Sequence, residues 1–216
     1  MGSVLKPPSE TPFQLLPVPP GVWYRVHDLD PEAGAYAAAS FNDSGRGNAR
    51  FSPLRTPATD AVVPTIYAAS TMRGAIMETV LHDVPVPSAG YVHDIERDLA
   101  SNLHMSAIGL GALRLVNLTS TGLRAAGLKH SDLFDDDKSD YPRTREWALW
   151  LWAQYPAAQG LIWMSKQDNQ SQAVMLFGDR MTEPFEDLGK TAHIADHEDL
   201  IIELLAEMGA MVTPVA

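Results

Sequence analysis

The alternation of apolar and polar positions along the chain predicts both strands and helices. Runs rich in β-branched and aromatic residues predict strands at 22–27, 62–69, 108–118, 161–165 and 173–177. Helix-start signals and apolar periodicity predict helices at 71–83, 142–155 and 197–208. The stretch 91–118 as a whole is predicted to be strand, short helix and strand. Since no repeat and no boundary occur after residue 22, we expect one mixed α+β domain with a small central β-sheet flanked by helices.

Three other segments lack such a pattern. Residues 1–21 contain six prolines, which predict an extended arm lying on the surface. Residues 40–60 are rich in glycine, asparagine and proline and predict a long irregular loop, which in a compact domain is usually functional or mobile. Residues 132–140 predict an exposed acidic loop.

Composition narrows the classes of function. The chain has 216 residues, no cysteine and a formal net charge of −11. The absence of cysteine excludes disulfides, thiolate metal sites and cysteine nucleophiles. The negative charge disfavours nucleic acid as a direct partner but suits a basic protein partner. No apolar run is long enough to span a membrane and no secretory signal is visible, so we expect a cytoplasmic protein.

One carboxylate stands out on the helix predicted at 71–83. Met72, Ile76 and Val80 form an apolar stripe that should face the core. Glu78 lies beside this stripe, where its side chain can point into a cleft. An ordinary solvated glutamate at the edge of a helix remains the alternative.

Five further residues are candidates for binding or chemistry. Arg25 lies inside an otherwise apolar strand, Tyr67 lies near the end of a second strand, and Ser165 closes a third. Burying such groups is costly unless they have partners, so their positions call for a reason. Arg46 and Arg50 lie in the glycine-rich loop, where a guanidinium could bind a phosphate, although solvation of the loop is the alternative.

Three weaker sequence signals concern other kinds of site, namely metal sites and a serine nucleophile. His193 and His197 have the i, i+4 spacing of a helical metal pair, which leaves a metal-dependent hydrolase as one alternative, although no third ligand is evident. Asp135–Asp137 lack the glycine and glutamate of a calcium loop, so we expect no metal there. Ser171 has no recognisable histidine partner that would make it a nucleophile.

Taken in order, the candidate residues resemble the RES domain, a family named for its Arg, Glu and Ser and known as the toxin of RES–Xre toxin–antitoxin modules. The similar segments are Trp23–Val26, Gly47–Pro53, Ile66–Ser70, Met77–Pro85 and Gly160–Ser165. Glu78 follows Tyr67 by eleven residues, and this spacing and the order of the segments carry the resemblance. The resemblance covers about residues 22–180. Together with the prolines of the first segment, it divides the chain into a proline-rich arm at 1–21 and a RES domain at 22–216.

The resemblance implies an ADP-ribosyltransferase-like fold and an enzyme that uses NAD⁺ as its substrate, without a metal. It would cleave the nicotinamide–ribose bond and pass ADP-ribose to phosphate, water or a protein target. Arg25 and Arg50 would hold the phosphates or ribose, Tyr67 would stack on the nicotinamide, Glu78 would stabilise the developing cation, and Ser165 would bond within the same pocket. An Xre-type antitoxin is the implied partner.

Several alternatives stay open. The family often has Gly-Gly-Arg-Trp-Asn where this chain has Asn48–Ser52, so Arg46 could take the place of Arg50. Ser171 lies near enough to Ser165 to take its role. A non-catalytic module that binds NAD⁺ or a protein on the same fold is the competing hypothesis to an enzyme.

Overall fold

The chain folds around one large curved sheet with helices against it. The computed structural model describes residues 7, 12–29, 37–86, 88, 91–134, 141–183 and 185–213. In these ranges the strands are β1 (Leu15–Val18), β2 (Gly21–Asp28), β3 (Leu54–Arg55), β4 (Val62–Val63), β5 (Thr65–Ala69), β6 (Val92–His93), β7 (Leu103–Leu110), β8 (Leu113–Asn117), β9 (Gly160–Met164), β10 (Gln172–Phe177), β11 (Glu186–Asp187), β12 (Ala192–His193) and β13 (Met211–Val212).

The α-helices of the described ranges are α1 (Met72–Thr79), α2 (Ile95–Leu99), α3 (Ser120–Ala125), α4 (Tyr141–Gln154) and α5 (Glu198–Glu207). Short 3-10 turns occupy His130–Asp132, Gly178–Arg180 and Ile194–His197. None of the helices in the described ranges has the length and apolar character needed to cross a membrane.

The central sheet of the described residues has nine strands, which makes it larger than the small sheet that the sequence predicts. Eight follow the order β1-β8-β9-β10-β5-β2-β7-β11, and β12 pairs with β7 beside β11. The pairings are antiparallel except for β8 with β9. Strands distant in sequence therefore become neighbours, and β5 comes to lie between β10 and β2.

An opening in this sheet lies between β2 and β5. These strands are joined at a single residue pair, Tyr24 with Ala69, whereas β2 pairs with β7 along its whole length. On the other side, β5 pairs with β10 at five positions. Because the backbone pairing with β2 is confined to Ala69, at the end of β5, a gap separates β2 from the first half of β5.

Two parts of the sheet differ from the predictions. Leu15–Val18, predicted to lie in a surface arm, forms β1 and pairs antiparallel with β8. Proline is tolerated there because β1 is an edge strand. The single strand predicted at 108–118 is two strands, β7 and β8, because Gly111 and Ala112 interrupt it. The prediction of strand, short helix and strand over 91–118 is otherwise confirmed by β6, α2, β7 and β8.

Helix α1 is shorter than predicted, whereas α4 and α5 lie within one residue of their predicted bounds. The Thr71 hydroxyl caps α1 by accepting from the Gly74 backbone N–H at 2.9 Å, but the helix ends at Thr79 rather than near 83. Of the predicted stripe, Ile76 is fully buried, while Met72 and Val80 are half-buried. Helix α4 lies at the predicted position but buries one face only. The buried positions of α4 are Tyr141, Thr144, Trp147, Ala148 and Leu151.

The irregular loops are partly as predicted. Residues 40–60 contain the two-residue strand β3 and an isolated bridge from Asn42 to Thr65, and are otherwise irregular. In the predicted acidic loop, Leu133 and Phe134 are buried in the core, so the start of that segment is not exposed. Residues 135–140 lie outside the described residues, as do 1–6 and 8–11 of the predicted arm.

Candidate active site

The gap between β2 and β5 opens into a cleft with a volume of about 400 Å³. Residues 42–52 and the C-terminal part of α1 complete its walls. Arg25, Arg46, Arg50, Tyr67 and Glu78 all line this cleft. Five of the six residues proposed from the sequence therefore meet at one place, although they come from four separate segments of the chain.

Glu78 is held in place by three groups on and just after β9. Its Oε1 accepts hydrogen bonds from the Ser165 hydroxyl at 2.6 Å and from the Lys166 backbone N–H at 3.2 Å. Its Oε2 accepts from the Trp163 indole N–H at 3.3 Å. All three partners can donate, so the arrangement suits an ionised carboxylate. The half-buried Glu78 is thus a fixed negative charge on the wall of the cleft.

The structure separates the roles of the two candidate serines. Ser165 is fully buried, donates to Glu78 and accepts from the Asp168 backbone N–H at 3.3 Å. Ser171 donates to the Asp168 carboxylate at 2.6 Å and bonds the Thr71 hydroxyl at 2.5 Å. Ser165 therefore supports Glu78 from behind rather than lining the cleft, and Ser171 supports the start of α1.

The loop between β9 and β10 braces both ends of α1. At the start of the helix, Asp168 forms an ion pair with the Arg73 Nε at 3.2 Å. At its end, the Gln167 amide donates to the His82 carbonyl at 3.1 Å. A Cβ on Gly74 would lie 2.5 Å from the Ser171 Cβ, so glycine permits this close approach. The direction of the Glu78 side chain is fixed by this packing.

Tyr67 places a neutral hydroxyl near Arg50 and Glu78. Its hydroxyl accepts from the Phe51 backbone N–H at 3.2 Å, and its ring packs edge-to-face on Trp163 at 6.2 Å. Burial raises the pKa of Tyr67 above its ordinary value, and the Glu78 charge acts in the same direction. Tyr67 thus stays protonated near neutral pH and can donate a hydrogen bond but cannot act as a base.

Arg50 is the buried arginine of the 42–52 loop. Its guanidinium lies over the rings of Phe134 and Tyr141, at 5.6 and 5.2 Å, and donates to the Leu133 carbonyl at 3.2 Å. The Thr144 hydroxyl donates to the Arg50 carbonyl and ties this loop to α4. Arg46 is exposed at the mouth of the cleft. The two residues do not occupy equivalent positions, and Arg50 is the more firmly held.

Arg25 has a structural contact that the sequence does not reveal. Its Nη1 faces the backbone carbonyls of Ala37, Ala38 and Ser40 at 3.4, 3.1 and 2.8 Å. Because side chains alternate along a strand, Arg25 and Tyr24 lie on opposite faces of β2. Arg25 therefore fixes the segment that follows residue 36 while it also lines the cleft.

Two aromatic residues and one histidine belong to the site but were not proposed as site residues from the sequence. Trp163 donates to Glu78, and Tyr141 packs under Arg50 and bonds His82 through its hydroxyl at 3.2 Å. The tryptophans and Tyr141 look like core residues in the sequence, since nothing distinguishes them from their apolar neighbours. His82 could have been found, because it follows Glu78 by one helical turn.

The alternative metal pair is not supported by its surroundings. Among the described residues, no group of three or more histidine, aspartate or glutamate side chains is arranged to hold a metal ion. The His193 Nδ1 accepts from the Ala195 backbone N–H at 3.1 Å and caps the 3-10 turn that contains His197. Neither histidine lines the cleft.

Comparison with known families identifies the family of this chain. The family profile described as the RES domain matches residues 22–200, which include every residue of the site. The chain belongs to the RES family. No curated protein sequence matches this RES-domain chain.

The fold also resembles a solved structure. A chain of the M. tuberculosis MbcT–MbcA toxin–antitoxin complex is similar to this RES-domain chain, with a TM-score of 0.60 and 18% sequence identity. The likeness covers 89% of this chain and 92% of that chain. At this identity the likeness concerns the fold alone. The predicted fold, a single mixed α+β domain of the ADP-ribosyltransferase-like type, is confirmed.

Proposed function

We propose that this RES-domain chain is a toxin-type enzyme that cleaves the nicotinamide–ribose bond of NAD⁺ and transfers ADP-ribose to phosphate, water or a protein side chain. The observation that carries the proposal is the Glu78 carboxylate, which three donors hold on the wall of a cleft that also contains two buried arginines. The membership of the RES family supports the choice of NAD⁺ as substrate.

The charge of Glu78 suits the transition state of this reaction. Loss of nicotinamide from NAD⁺ passes through an oxocarbenium-like state in which the ribose carbon becomes positive. A preorganised carboxylate stabilises that charge more in the transition state than in the ground state. Because nicotinamide leaves as a neutral molecule, the bond can break without a general acid. One carboxylate is therefore sufficient, and the hydrogen bonds of Trp163 and Ser165 keep it in position.

The other side chains of the cleft suit the rest of the ligand. Arg50 presents a planar cation, and such a group binds phosphate oxygens better than a point charge does. Arg25 lies across the gap, and Arg46 at the mouth can reach a phosphate that Arg50 does not. Tyr67 offers a partly exposed ring to the nicotinamide and a hydroxyl that stays protonated. In this proposal the arginines bind the pyrophosphate and Tyr67 stacks on the leaving group.

The proposal is tested by replacing Glu78 with glutamine and measuring nicotinamide release from NAD⁺. Glu78→Gln keeps the size of the side chain but removes its charge, so turnover should fall by about 10²-fold or more. Glu203→Gln is the matched control, because Glu203 is an exposed glutamate on α5 outside the cleft. A folded Glu78→Gln protein with near wild-type turnover would exclude the catalytic role.

A protein partner is part of the proposal. The net charge of −11 suits a basic or amphipathic partner, and the solved complex with a similar fold contains an antitoxin. We propose an Xre-type antitoxin that covers the mouth of the cleft. The acidic loop at 132–140 could face such a basic partner, but its residues Asp135–Asp137 lie outside the described residues. The Asp132 carboxylate accepts from the Lys129 backbone N–H at 2.7 Å, so it has a local role.

Co-purification with the product of the adjacent reading frame tests this partner. We expect a stable complex in which NAD⁺ cleavage is suppressed, since a segment docked at the mouth would exclude the substrate. Full activity in a stable complex would contradict occlusion. A non-catalytic module remains the competing function, and the absence of nicotinamide release by the free wild-type chain would favour it.

A further inference from the structure

His82 lines the cleft and has no role in the proposed reaction so far. It lies four residues after Glu78, just past the end of α1, and its side chain is about one quarter exposed. Its backbone carbonyl is held by the Gln167 amide at 3.1 Å. Since Tyr67 stays protonated and both oxygens of Glu78 already accept hydrogen bonds, a further base in the cleft would help to take a proton that the reaction releases.

The contacts of His82 define which ring nitrogen can accept a proton. The Nδ1 atom lies 2.9 Å from the Asp83 carboxylate, which can only accept, so Nδ1 carries the hydrogen. The Nε2 atom then has a free electron pair and receives the hydrogen bond of the Tyr141 hydroxyl at 3.2 Å. This bond is long, and both His82 and Tyr141 line the cleft. Nε2 is therefore a base of fixed orientation at the wall of the cleft.

We propose that His82 is the general base that activates a hydroxyl acceptor for ADP-ribose, with Asp83 fixing its tautomer. This inference rests on the proposed function and narrows it. Attack by water or an alcohol forms a bond from oxygen to the ribose carbon as the bond to nicotinamide breaks. The electron pair of the broken bond goes to the nicotinamide nitrogen. The acceptor hydroxyl replaces the Tyr141 hydroxyl at Nε2 of His82 and gives its proton to that nitrogen.

The inference separates acceptors by their chemistry. Water and alcohols have to lose a proton when they attack, so they gain from a base. Azide carries no proton and attacks as an anion, so it has no need of one. Loss of His82 should therefore slow the reaction with water far more than the reaction with azide. A purely structural role in positioning Tyr141 and Arg50 would slow both reactions alike.

The experiment measures products of NAD⁺ with the full chain in phosphate-free buffer, with and without sodium azide. For His82→Gln we expect ADP-ribose formation to fall by about 10²-fold or more and ADP-ribosyl azide formation to fall by less than tenfold. Asp83→Ala should also lower the rates of ADP-ribose and ADP-ribosyl azide formation, each by a smaller factor than His82→Gln does. His104→Gln, a half-exposed histidine on β7 outside the cleft, is the matched control.

Each other outcome overturns the inference. Equal losses with water and azide would show that His82 has a structural role, and no loss with water would show that it is not a base. If His82→Gln does not fold, Asp83→Ala decides, because the Asp83 side chain is mostly exposed. A wild-type chain that releases nicotinamide with azide but never forms ADP-ribose would also contradict the inference while the proposed function stands. A wild-type chain that cleaves no NAD⁺ at all would remove both.

Discussion

Replacing each of the two candidate serines with alanine should separate an effect on activity from an effect on stability. Ser165→Ala removes the 2.6 Å hydrogen bond to Glu78 Oε1, and a bond to a charged group is worth about 1.5–3 kcal/mol. Since each 1.36 kcal/mol is a factor of ten in rate, kcat/KM should fall by about 10- to 100-fold. The Lys166 and Trp163 donors remain, so some activity should persist.

Ser171→Ala acts at the other end of α1. It removes the bonds to Asp168 and Thr71, so the free energy of unfolding should fall by about 1–3 kcal/mol. Its kcat/KM should change less than that of Ser165→Ala. Nicotinamide release and denaturant unfolding of both variants provide the assay. A larger loss of activity in Ser171→Ala than in Ser165→Ala would refute the assignment of Ser165 to Glu78.

Two further predictions concern Arg50 and Tyr67. Arg50→Lys should weaken binding of a non-cleavable NAD analogue by about tenfold or more in calorimetry, because an ammonium cannot replace a planar fork, whereas the exposed Arg124→Lys should bind normally. If Arg46→Ala loses binding and Arg50→Lys does not, Arg46 is the phosphate ligand. The raised pKa of Tyr67 means that the native state keeps a proton that the unfolded chain releases above the ordinary value of 10.0. Stability from Tyr67 is therefore complete below about pH 10 and lost as pH rises further, so Tyr67→Phe should show a shallower decline of unfolding free energy above pH 10. An equal decline in both proteins would contradict this.

The sequence predicted the elements that carry the site better than the way they meet. Periodicity located β2, β5, α1 and β9 because each has a strong apolar pattern. Periodicity could not show that β2 and β5 share only one residue pair, because the apolar pattern of a strand does not determine how it pairs with another strand. It also missed that Leu15–Val18 joins the sheet, because prolines around a short strand look like an arm.

The site residues also differed in how well they could be predicted from the sequence. Glu78 was identifiable from its place beside the apolar stripe together with its spacing of eleven residues from Tyr67. The contacts by which Trp163, Asp168 and Gln167 hold Glu78 and α1 in place could not be identified from the sequence. They depend on the loop between β9 and β10 folding back onto α1. The choice between Ser165 and Ser171 likewise required the tertiary structure, since both serines flank the same loop.

The identity of the bond that breaks in NAD⁺ tests the central claim most directly. Purified wild-type chain is incubated with NAD⁺, and the products are separated and identified by mass spectrometry. We predict free nicotinamide together with ADP-ribose or an ADP-ribosyl adduct of the acceptor. Nicotinamide mononucleotide and AMP, which would arise from cleavage at the pyrophosphate, or NAD⁺ that stays intact, would contradict the proposed function.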